Sequence, residues 1–120
     1  MTLLEGYFAK LGSYPEDEQI CVSLSYPHFV KRETMRHLPI LAPSKELLLD
    51  WMSDRITWQT YEERFREEIA SNPRAMTALK AIANGARKRD IRLLCYEKPP
   101  KNCHRFILLD MIDKLSRSSN

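Results

Sequence analysis

The sequence has no apolar run approaching the roughly 20 residues that a bilayer-spanning helix requires, so no membrane insertion is expected. Its opening stretch, Met1 to Lys10, carries Glu5 and Gly6 among its apolar residues and lacks the layout of a secretion signal. Cysteine is scarce and odd in number (Cys21, Cys95 and Cys103), which argues against a secreted disulfide scaffold. A cytoplasmic location is the expectation. Internal repeats and low-complexity tracts are lacking too, so solenoids and disordered linkers are set aside. A dominant charge is also missing. The 19 basic and 16 acidic residues leave a net charge of +3 and are mixed along the chain. Such a balance is too mild for a duplex-DNA binder, and any anionic partner has to be recognised by a local cluster.

What remains is one globular chain. Its 120 residues, 43% hydrophobic and 29% charged, suffice for two packed layers around one core, and a single domain over residues 1–120 is expected. Ile20 to Ser25 alternates apolar and small residues and reads as a strand ended by Tyr26-Pro27. Ile91 to Tyr96 reads as a buried strand. Gly6 to Leu11 fits either a short strand or a helical turn. The irregular stretch His28 to Pro43 is long enough to conceal an element or a ligand-closing loop that would bring Arg36 and His37 into play.

Helix signals lie between the strands. Ser44 precedes the stripe Leu47, Leu48, Trp51 and Met52. Thr57 precedes Trp58, Tyr61, Phe65 and Ile69, whose helical spacing marks core. Asn72-Pro73 opens a third helix through Met76, Leu79 and Ile82, and Asn102 can cap a last one carrying Ile107, Leu108 and Met111. Helices between strands favour parallel pairing. The expected fold is a small α/β domain, with a short parallel sheet pairing Ile20–Ser25 to Ile91–Cys95 and helices packed around it. In such sheets ligands sit beyond the carboxyl ends of strands, here Ser25 to His28 and Cys95 to Lys98.

Leu93-Leu94-Cys95-Tyr96-Glu97-Lys98-Pro99 followed by Cys103-His104-Arg105 resembles the hallmark of the family called domain of unknown function 488. In that family a strand ends in a cysteine, an acidic loop follows, and a Cys-His-Arg triplet opens a helix. Ser23 to Pro27, Leu41 to Ser44, and Ile56 to Tyr61 with Arg64 are similar to its other segments, so the resemblance runs from about Tyr7 onward. It implies an α/β domain with His104 and Arg105 in a shared site, and no settled activity.

The residues themselves point to the same place. Lys98, Lys101, His104 and Arg105 crowd a helix N-terminus, which is already positive and carries free N–H groups. A phosphate, sulfate or carboxylate would relieve that crowding, and so would internal pairing with Glu97 or another acidic residue. Cys103, expected at the first helical position, should favour its thiolate, whereas Cys95 reads as a small apolar residue. The phosphatase loop does not fit. The sixth residue after Cys95 is Lys101, not arginine, and no glycine lies between.

No metal site and no cofactor are expected. Cys95, Cys103, His104 and, as further candidates, Cys21 or His28 are ligand types, but the paired spacing of zinc knuckles is missing, and adjacent Cys103 and His104 should point apart on a helix. The leading expectation is binding of a small anionic molecule, a nucleotide or other phosphate compound, contacted by Tyr26, His28, Glu97, Lys101, His104 and Arg105. One alternative is an enzyme using Cys103 as nucleophile or His104 as acid/base, though no third group orienting the histidine is evident. Another is a nucleic-acid interaction module, against which the charge is weak and no basic stripe with interleaved aromatics is seen.

Overall fold

The computed structural model describes residues 3–15, 18–32, 35–97 and 101–118. Among these residues four strands form one all-parallel sheet: β1 (Leu3–Tyr7), β2 (Glu18–Cys21), β3 (Arg36–His37) and β4 (Ile91–Cys95), in the order β1-β4-β2-β3. The apolar character of β4, interrupted by Arg92, has a direct cause. As a central strand it is covered on both faces, and all five of its residues are buried. The expected parallel pairing of the second and fourth strands is present, with Ile20 opposite Leu93 and Cys21 opposite Leu94.

The second strand is shorter than its alternation suggested. Val22 N–H still donates to Leu94 O, but Ser23 then turns its hydroxyl onto Ser25 O at 2.7 Å and the chain leaves the sheet. A serine side chain offering the backbone a local partner competes with the ladder in this way. The ambiguous N-terminal stretch is both structures in turn: β1, then a 3-10 turn over Phe8–Ser13. Gly6 in β1 has a steric reason, since a Cβ there would lie 2.7 Å from the Tyr14 ring. The long stretch from His28 conceals the edge strand β3 and a 3-10 turn over Pro39–Leu41. Arg36 and His37 belong to that edge; His37 Nε2 lies 2.9 Å from Ser23 O.

The sheet has two differently covered faces. Ile20, Ile91 and Leu93 point into the main core, with Leu47, Tyr61, Phe65, Leu79, Ile107 and Leu108 from the helices. Cys21 and Leu94 point the other way, onto Phe8 and Met35. The helices are α1 (Lys45–Met52), α2 (Trp58–Ala70), α3 (Pro73–Ala86) and α4 (His104–Ser118). The first three start where their caps predicted. Ser44, Thr57 and Asn72 each accept from backbone N–H groups two or three residues on. Among the described residues no helix is long and apolar enough to cross a membrane.

The turn between α1 and α2 carries strain. Asp54 N–H donates to Trp51 O and Arg55 N–H to Asp50 O, the paired bonds of a glycine-type helix ending, and Asp54 has φ 57°. Glycine is the residue this conformation suits. Asp54→Gly should therefore raise stability by about 0.5–1 kcal/mol, the relief of left-handed strain exceeding glycine's entropic cost. A urea unfolding midpoint that stays put or falls would show that the aspartate side chain contributes something at this turn.

Candidate functional site

Helix α4 begins one residue later than expected. Cys103 O accepts from Phe106 N–H, so Cys103 occupies the capping position in place of Asn102, and His104 is the first helical residue. This offset matters because the two side chains do not diverge. Cys103 Sγ lies 3.6 Å from His104 Nδ1, and Cys95 Sγ, reaching over from the end of β4, lies 4.0 Å from the same nitrogen. All three ligand-type atoms fall within 4.8 Å of one another, and all three residues are buried.

The histidine is oriented from behind. His104 Nε2 donates to Val22 O at 2.7 Å, just past the end of β2. A carbonyl can only accept, so Nε2 carries the hydrogen and Nδ1 faces the sulfurs. Phe65 packs edge-on against the ring at 5.5 Å. The orienting partner that sequence reading could not identify is thus a backbone carbonyl, which leaves no residue-type signature.

The environment separates the thiols. Cys103 is held well below the ordinary thiol range, first by hydrogen bonding from the Cys95 thiol and then by His104 and the Arg105 backbone N–H, against the effect of burial. Cys95 is pushed up by its contact with the negative Cys103 sulfur and by burial. Cys21, on the opposite face of the sheet, is raised by burial alone against weaker help from Ser23. Burial likewise pushes the Tyr61 hydroxyl up, so Tyr61 stays a neutral phenol.

The three-residue cluster forms part of the wall of a cavity of about 520 Å3 beyond the carboxyl ends of β2 and β4. Trp51, Trp58, Tyr61 and Tyr96 supply aromatic walls, and Ser23, Lys101 and Asn102 supply polar groups. Trp58 stacks on Tyr61 at 4.7 Å, and Trp51 tilts against Trp58 at 5.2 Å. Trp58 is therefore less of a core residue than its helical spacing suggested; it is only half-buried and faces the cavity. The two strand-end loops do meet, since Tyr96 Oη donates to Ser25 O at 3.4 Å.

The expected contacts are only partly brought together. Glu97, Lys101, Cys103 and His104 line the cavity; Tyr26, His28 and Arg105 do not. Tyr26 binds back on Lys31 O and packs by His37 on the other side of the sheet, because the serine turn after β2 carries it there. His28 is exposed beside Phe29. Arg105 is one helical residue past His104 and so points elsewhere. It is fully buried, and its Nε donates to Glu5 Oε1 at 3.1 Å. Glu5 reaches it because it sits opposite Leu93, on the helix-covered face. Lys101 pairs with Glu97 at 3.2 Å. Internal pairing therefore accounts for both cations, while Lys98 lies outside the described residues.

These observations agree with the comparison to known families. Residues 8–116 match the family model described as the active DUF488-N3 subclade, and the chain belongs to that family, a domain of unknown function. No curated protein and no solved structure matches the chain.

Proposed function

We propose that the cavity binds a small anionic molecule with a flat aromatic body, a nucleotide or related phosphate compound. The observation that carries this reading is the cavity itself. Its size suits a small ligand, and its lining combines aromatic walls with Lys101, Asn102 and the start of α4. Trp51, Trp58 and Tyr96 would take the base by stacking. The Lys101–Glu97 pair is exposed on both sides, and such pairs contribute about 0–1 kcal/mol, so Lys101 can exchange its carboxylate for a phosphate at small cost. Arg105 has no part in this contact. Duplex nucleic acid is not the partner proposed.

The two halves of the ligand can be tested apart. Titration calorimetry with nucleoside monophosphates and the matching nucleosides should show tighter binding of the charged forms. Base stacking is worth about 1–3 kcal/mol, so Trp58→Ala should weaken both by roughly tenfold or more. Lys101→Ala should weaken only the phosphorylated ligands. No heat and no change in tryptophan fluorescence with any of them at millimolar concentration would discard the reading.

A catalytic step is a second reading, favoured by the contact of Cys103 with an imidazole that Val22 orients. In this reading His104 Nδ1 would hold the proton of the Cys103 thiol and deliver it to a leaving group. In that case Cys103→Ser should keep ligand affinity and lose turnover.

A further inference from the structure

We infer that Cys95, Cys103 and His104 form a zinc site with one coordination position open to the cavity. The inference goes beyond nucleotide binding and does not depend on it. Within a helix, neighbouring Cys103 and His104 would point apart. Because Cys103 precedes the helix, they converge instead.

The distances fit the ion. Zinc–sulfur bonds of about 2.3 Å and zinc–nitrogen bonds of about 2.0–2.1 Å in a tetrahedron put sulfur and nitrogen about 3.6 Å apart, and two sulfurs about 3.8 Å apart. The observed sulfur–nitrogen separations are 3.6 Å for Cys103 and 4.0 Å for Cys95, and no pair in the cluster exceeds 4.8 Å. An ion between them requires shifts of a few tenths of an ångström for the histidine contacts and a closing of at most about 1 Å between the two sulfurs.

The histidine is also set as a ligand commonly is. Metal-bound imidazoles donate their other N–H to a carbonyl or carboxylate, which fixes ring and tautomer. His104 Nε2–H does this to Val22 O and leaves Nδ1 turned to both sulfurs. Two sulfurs and an imidazole favour zinc or another soft ion over magnesium or calcium. Three protein ligands leave a fourth position, and since all three residues line the cavity, that position faces it. Water or the anionic group of a ligand could fill it. On binding, both cysteines are ligands as thiolates, and any proton that a sulfur still carries goes to the solvent.

Cobalt(II) provides the optical probe. Full-length protein, stripped with a chelator and kept reduced with a phosphine, should take up one cobalt per chain. Uptake should bring the thiolate charge-transfer and intense ligand-field absorption of a tetrahedral site, and zinc should bleach both. Mutating a residue that only supports a ligand costs 10–100-fold in affinity, so Cys95→Ser, Cys103→Ser and His104→Ala should each weaken binding by at least roughly 100-fold. Cys21→Ala should leave the spectrum unchanged.

A second measurement needs no variant. Zinc should protect Cys95 and Cys103 of the native chain from maleimide, as read by peptide mass spectrometry. Absence of the charge-transfer band, or equal labelling with and without zinc, would overturn the site. So would a mass two hydrogens lighter with no metal uptake under oxidising conditions and no cobalt band after reduction. Nucleotide calorimetry on the stripped protein reports separately on the cavity, so either idea can fail alone.

Discussion

Glu5→Ala should destabilise the fold far more than Arg105→Met, although it removes the more exposed of the two partners. Arg105 is 0% exposed, while the Glu5 side chain keeps 34% of its surface in solvent. Nε–H is bonded to Glu5, but both terminal nitrogens of the guanidinium are buried with no hydrogen-bond partner among the described residues. Removing the carboxylate leaves a buried charge uncompensated, which costs about 3–5 kcal/mol. Removing the arginine takes away that charge together with two unsatisfied donors, each of which costs about 1–3 kcal/mol to keep buried. The stranded Glu5 carboxylate still has water. Methionine approximates the stem's volume, so Arg105→Met should stay within about 1–2 kcal/mol of the native chain. Chemical denaturation of the two variants decides it. The opposite ranking would mean that the guanidinium makes an interaction worth more than its pairing with Glu5.

That asymmetry bears on how the triplet of a family motif is read. Cys103-His104-Arg105 was legible as a unit because three unusual residues stand together at a helix start. Its division of labour was not. One residue of offset in the helix start turns Cys103 and His104 toward the cavity and sends Arg105 under the sheet to Glu5, a hundred positions earlier in sequence. The caps Ser44, Thr57 and Asn72 were readable because their chemistry is local, and so was the parallel pairing of β2 and β4. The placement of β1 beside β4 was not, since Leu3 to Tyr7 shows no alternation and its partner is nearly ninety residues away. The cavity walls were hidden for another reason. Trp51 and Trp58 sit at the facing ends of two helices, and helical periodicity assigns them to core stripes that Leu47 in α1 and Tyr61, Phe65 and Ile69 in α2 join as buried residues. Val22, which orients His104, acts through its backbone and was beyond any residue-type argument.

In metal-free protein, alkylation of Cys103 by iodoacetamide should proceed at nearly the same rate at pH 6 and at pH 8. Only the thiolate reacts, so an ordinary thiol, with its pKa near 8.5, slows roughly tenfold for each pH unit below that value. Cys103 is shifted downward, which keeps it ionised through this window, and its profile should stay flat where that of an ordinary thiol falls about 100-fold. The shape of the profile is the diagnostic, not the absolute rate. A sulfur of low pKa is also a weaker nucleophile, with a Brønsted slope of about 0.4–0.5, so Cys103 need not be fast at pH 8. Cys21 and Cys95 are both shifted upward and should be slow throughout. The causes of the shift set the direction of the variants. Cys95→Ala removes the leading hydrogen bond to the sulfur and His104→Ala removes the next side-chain contribution, so each should raise the Cys103 pKa and restore a falling profile toward pH 6. Loss of the smaller histidine contribution should leave the inflection lower than loss of Cys95. A native profile that already falls tenfold per unit would show that Cys103 is an ordinary buried thiol. The catalytic reading would then lose its nucleophile, while the three-ligand geometry, which rests on positions and not on charge, would stand.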